Sequence, residues 1–131
     1  MKTETKLIYL RYVLILGGLF LIFGVAPLMH YWPSGWRWDP PQIKYEQMIL
    51  GVYATLGVFL LIASKNPLAH RSLIWFTVWS SIVHASIMLY QALHYPNEIG
   101  HIYGDIAVLY LFAIVLAFLM PRKQPSQTTE K

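Results

Sequence analysis

IGHIYGDIAVLYLFAIVLAFLM, residues 99–120, is an apolar run in which only His101 and Asp105 carry charge near neutral pH, and both lie in its first two turns. An α-helix rises ~1.5 Å per residue and needs about 20 residues to cross the ~30 Å hydrocarbon core of a bilayer, so this run reads as a membrane span. Three more blocks share its character: LIYLRYVLILGGLFLIFGVAPLM (7–29), broken by Arg11 near its start; YEQMILGVYATLGVFLLIA (45–63), which begins with Glu46; and SLIWFTVWSSIVHASIMLYQAL (72–93), which holds His84. Transmembrane strands would be about ten residues long and strictly alternating, and no block alternates.

Composition agrees with this reading. The 131 residues are 56% hydrophobic and only 12% charged, about half the charged fraction of a soluble domain, and the mean hydropathy is +0.47. The absence of cysteine excludes disulfides, thiolate metal sites, iron–sulfur clusters and cysteine nucleophiles. The net charge of +4 does not indicate nucleic acid, because the ten Lys and Arg residues stand in ones and twos at block edges. Topology explains them better.

Proline marks each boundary: Pro33, Pro40 and Pro41 after the first block, Pro67 after the second, Pro96 after the third and Pro121 after the fourth. Short connections make neighbouring helices antiparallel, so the expected fold is all-α, a single four-helix transmembrane bundle over residues 1–121. One side carries Lys2, Lys6, Arg11, Lys65, Arg71, Arg122, Lys123 and Lys131; the other carries Arg37 and Lys44. The positive-inside rule then puts both termini and the 64–71 loop in the cytoplasm, with His70 and Arg71 at the interface. The first block is longer than a signal-peptide core and has no convincing small-residue cleavage site, so it reads as an uncleaved span. The polar tail 122–131 lacks apolar residues for a core and is expected to be disordered. In the outer loop HYWPSGWRWDPPQIK (30–44), Trp32, Trp36, Arg37 and Trp38 have the composition of an interfacial anchor.

The polar groups sort to the outer side. Asp39, Glu46, Glu98 and Asp105, with His30, His84, His94 and His101, all fall in the outer half or outer loops. In the third block Thr77, Ser80, Ser81, His84, Met88 and Gln91 recur at intervals of three and four, which makes one polar stripe. His101 and Asp105 are one turn apart, and Glu46 and Tyr53 share a face. Ionisable groups are costly against lipid, so these stripes are expected to turn inward and meet. Gly100 with Gly104, Gly51 with Thr55, and Gly17, Gly18 and Gly24 would allow close helix approach.

Three functions are open to such a cluster. Glu46, His84, His101 and Asp105 could hold a metal ion or carry protons, as imidazole and carboxylate do in helical bundles. Tyr53, His84 and Gln91 could hydrogen-bond a quinone or lipid in an otherwise apolar pocket. The third function, preferred here, is a structural or auxiliary membrane subunit without catalysis of its own, whose polar groups bond across helices and whose partners are the bilayer and other subunits or a second copy. No catalytic residue is assigned, since GxSxG, Walker and GxGxxG spacings are all absent.

The stretches YEQMILGVYATLGVFLLIASKNPLAHRSLIWFTVWSSIVHASIMLYQAL (45–93) and EIGHIYGDI (98–106) resemble an uncharacterised family of small four-span bacterial membrane proteins, with KNPLAHRSLIWF the most distinctive segment. The resemblance implies four helices in a bacterial inner membrane. It implies no activity, cofactor or functional residue.

Overall fold

The computed structural model of the chain describes residues 1–123, in which every regular element is helical. Four helices are long and apolar enough to cross a membrane: Thr3–Tyr31, Ile43–Lys65, Pro67–His94 and Pro96–Leu119, here called the first to fourth spans. The tail read as disordered lies, from residue 124 onward, outside the described residues.

The first and second spans pack together, as do the third and fourth, and the fourth also touches the first. Phe23, Phe76, Trp79, Leu111, Ile114 and Phe118 are exposed, as suits side chains facing lipid. One core cluster draws on all four spans through Leu10, Leu14, Leu60, Ala63, Ile74, Val78, Ala113 and Leu116, and a smaller one joins the third and fourth through Ala85, Met88, Ala92 and Ile106. Lipid tails are as apolar as leucine, so such helices gain by close packing and not by escaping water. Gly18 and Gly57 illustrate this. A Cβ on Gly18 would lie 2.7 Å from the Gly57 carbonyl oxygen, and one on Gly57 would lie 2.6 Å from that of Gly18. The first two spans therefore meet backbone to backbone.

Two expectations about glycine are corrected. Gly51 packs against nothing: a Cβ there would meet no atom within 4 Å, and the Thr55 hydroxyl donates to the Gly51 carbonyl of its own helix. Gly100 and Gly104 do serve a close approach, but not to another span. They face the short helix Pro33–Trp36 of the outer loop, against the backbone of Ser34 and Gly35. Small residues at this spacing mark where a backbone comes close, and spacing alone does not say which.

The fourth span is also not one continuous α-helix. Pro96–Tyr103 is a 3₁₀-helix, Gly104 breaks it at φ −106° and ψ −115°, and the α-helix runs over Asp105–Leu119. Those 15 residues reach only about 22 Å, and the 3₁₀ segment, rising ~2 Å per residue, supplies the remaining reach. The break fits the docked loop, since Gly104 is where the Gly35 backbone arrives. A second irregularity lies opposite, a π-turn at Phe20–Gly24 in the first span, where Phe20 meets the edge of Trp36 at 5.7 Å. The polar stripe of the third span turns inward as expected: Thr77, Ser81 and Met88 are buried, and Ser80, His84 and Gln91 half-buried.

Candidate functional site

The loop between the first and second spans folds back over the spans and brings their polar groups together. Arg37 leaves the short helix and reaches the start of the second span, where Nε donates to Glu46 Oε1 and Nη2 pairs with Oε2, each at 3.1 Å. The Glu46 side chain is 8% exposed and that of Arg37 32%, so the fork matches a carboxylate that has left water. Glu46 Oε1 also accepts from the backbone N–H of Gln42, the residue before the helix, at 3.2 Å. This satisfies the backbone donor of the residue that opens the helix.

His101 is the centre of the arrangement. It lies in the last turn of the 3₁₀ segment and is 1% exposed. Its Nδ1 is 2.9 and 3.0 Å from the two oxygens of Asp105, in the first turn of the following α-helix. The expected His101–Asp105 pair therefore forms, but it bridges the break at Gly104 and does not run along a regular helix face. Nε2 lies 3.1 Å from the Arg37 carbonyl oxygen and 2.9 Å from Glu98 Oε2. The Arg37 carbonyl can only accept, so Nε2 carries a proton and donates to it, while Nδ1 shares a hydrogen bond with the Asp105 carboxyl group. Trp38 stacks on this ring at 5.0 Å between centroids, 29° from parallel.

Glu98 is the second buried carboxylate of the site, 4% exposed. Its Oε1 accepts from the backbone N–H of Asp39 at 2.9 Å. Its Oε2 is close to His101 Nε2, yet it lies off the N–H direction that serves the Arg37 carbonyl, so it makes an ionic contact and no directed hydrogen bond. Trp36 Nε1 is likewise buried without a partner. Two basic groups, Arg37 and His101, thus stand among three carboxyl groups, Glu46, Glu98 and Asp105.

Deeper in the bundle, the Tyr53 hydroxyl and His84 Nδ1 are 2.9 Å apart and join the second span to the third. Gln91 stands apart from this pair, lining a cavity of about 280 Å³ with Trp38, Asp39, Tyr95 and Glu98. Among the described residues, no three His, Asp or Glu side chains are disposed around one metal position. Glu46 is held by Arg37, His84 by Tyr53, and His101 by Asp105. Of the aromatic loop residues, Trp32 is exposed while Trp36 is buried and Trp38 and Arg37 are half-buried.

The sequence reading did not place Arg37, Trp38 and Glu98 in the site. Arg37 had a signal in the charge count: it and Lys44 are the only outer cations, facing Asp39, Glu46, Glu98 and Asp105. A buried acid in lipid needs a cation, and few were available. The role of the Arg37 carbonyl had no signal, because a backbone oxygen is common to every residue.

No curated protein and no solved structure matches the chain. The profile of one family does match, over residues 2–129, nearly the whole length. With four helices fit to span a membrane and a buried polar cluster at one end of them, the chain belongs to the family of unknown function DUF6632.

Proposed function

We propose that this protein is a structural or auxiliary membrane subunit without catalysis of its own, in which the outer loop is clasped to the second and fourth spans through Arg37, Glu46, His101, Glu98 and Asp105. One observation carries the reading: His101 is spent. Both its nitrogens engage acceptors of the same chain, and Trp38 covers its face. A metal ligand must offer a free lone pair, and both nitrogens of this ring are already engaged within the chain. Arg37 likewise spends its fork on Glu46.

The test is purification of the full chain in mild detergent, with elemental analysis, an absorption spectrum and mass spectrometry of whatever co-purifies. The expected result is a second membrane polypeptide at fixed ratio, reduced in the Arg37→Met variant, whose clasp is open. One metal ion or one quinone per chain would overturn the proposal.

A second reading has its own support. The imidazole lies between two carboxyl groups, 2.9 Å from each, and on this reading Glu98, His101 and Asp105 hand protons from one to the next as a relay.

The proposal includes a location, the inner membrane of a bacterium with both termini in the cytoplasm. The charge count supports the orientation, and the resemblance of residues 45–93 and 98–106 supports the source. Because the chain has no cysteine, single thiols can report the sidedness. Lys44→Cys is expected to react with a membrane-impermeant maleimide in intact cells, and Ala69→Cys only after the cells are opened. The reverse pattern would invert the topology.

A further inference from the structure

At the end of the bundle opposite the clasp, a cleft of about 720 Å³ opens between the first span, the start of the third and the segment after the fourth. Lys6, Arg71, Arg122 and Lys123 line it, with Leu68 and Pro121 as apolar surface. Among the described residues, the one carboxylate at this end is Glu4, which does not line the cleft. Four cations thus converge at this end of the spans.

Two of them are partly engaged. Lys6 Nζ donates to the Phe118 carbonyl at 3.1 Å and lies 4.7 Å from the centre of the Phe118 ring, while Arg71 Nη2 donates to the Pro121 carbonyl at 2.7 Å. The Phe118 carbonyl belongs to the C-terminal end of the fourth span and the Pro121 carbonyl lies just beyond it; the helix dipole at that end is worth about half a negative charge and would repel an anion. The cations cover that end and still outnumber it. An ammonium has three donors and a guanidinium five, so among the described residues one side-chain bond each leaves most of the donors of Lys6 and Arg71 without a partner. Arg122 and Lys123 are exposed. A basic pocket between spans at the membrane surface, with apolar walls continuing into the bilayer, is the arrangement that takes an anionic headgroup while its acyl chains stay in lipid.

We infer that this cleft binds the phosphate headgroup of an anionic phospholipid, one per chain, through Lys6, Arg71, Arg122 and Lys123. The shared chemistry is a phosphate oxyanion, which could also come from free phosphate. The apolar walls favour the lipid.

Native mass spectrometry of the full chain in detergent tests this, with phosphatidylglycerol, with phosphatidylcholine of the same acyl chains, and with inorganic phosphate alone. One phosphatidylglycerol is expected to be retained in preference to phosphatidylcholine. In the double variant Arg122→Gln/Lys123→Gln, which alters two exposed residues and no side-chain hydrogen bond among the described residues, its affinity is expected to fall roughly tenfold or more. Arg71→Gln is expected to weaken it as well, read on the population that stays folded. Equal retention of both lipids would overturn the inference, as would a preference that the double variant leaves unchanged. Displacement of phosphatidylglycerol by inorganic phosphate at similar concentration would assign the cleft to free phosphate and overturn the lipid assignment.

Discussion

Replacing His101 by leucine is expected to destabilise the protein by about 3–5 kcal/mol, the loss seen when one partner of a buried ion pair is removed and the other stays buried without compensation. The effect falls at the upper end for single substitutions because His101, itself 1% exposed, separates two carboxylates. Without the imidazole, Glu98 and Asp105 face each other across a site covered by Trp38, and the break at Gly104 loses the pair that bridges it. Equilibrium unfolding in detergent measures the loss. The mechanism makes a stronger demand: adding Asp105→Asn to His101→Leu removes a stranded charge and should recover part of the stability, although two residues are then altered. If His101→Leu stays within about 0.5 kcal/mol of the wild type, as ordinary surface changes do, the clasp is not a structural feature of consequence.

The same position separates the two functional readings. Under the relay reading, reconstituted vesicles carry a proton flux that His101→Gln abolishes, since an amide keeps hydrogen bonds but does not exchange protons at neutral pH. Under the clasp reading, His101→Gln changes stability and there is no flux to lose.

A methyl group at Gly104 is expected to cost about 1–3 kcal/mol, the range for overpacking a filled interior. The atoms in its way are the Gly35 carbonyl, carbonyl carbon and Cα. A flexible side chain could step aside, but a backbone can yield only if the whole Pro33–Trp36 helix moves. That shift would carry Arg37 away from Glu46 and Trp38 from His101, so the intrinsic tryptophan fluorescence of Gly104→Ala should change along with its unfolding midpoint. Gly51→Ala is the matched control. Open space surrounds that position, and alanine in a helix interior is favoured over glycine by ~0.5–1 kcal/mol, so this variant should be neutral or slightly stabilised. If Gly104→Ala and Gly51→Ala behave alike, the close approach of the outer loop is refuted.

Particular residues show what was legible in the sequence. The third-span stripe could be read because the cost of a polar group in lipid acts through helix period alone, and Thr77, Ser81 and Met88 duly face inward. His101 and Asp105 could be paired because four residues separate them, and the pair survives the change from 3₁₀ to α geometry between them. Gly57 escaped notice because it is a lone glycine, and what makes it matter is Gly18 on another helix. Gly51 was misread for the converse reason, since a small residue shows that a close approach is allowed and not that one occurs.

The sequence by itself determined four membrane-length helices, their antiparallel order and the crowding of acids and histidines towards one end. Run length, proline placement and charge are local properties, and a bilayer converts them directly into architecture. Only the tertiary structure decided that the loop after the first span completes the site. Arg37 and Glu46 are nine positions apart, Asp39 and Glu98 fifty-nine, and the Arg37 carbonyl and His101 sixty-four. Such contacts depend on where a loop lands when two glycines admit its backbone, and no periodicity within one segment encodes that landing.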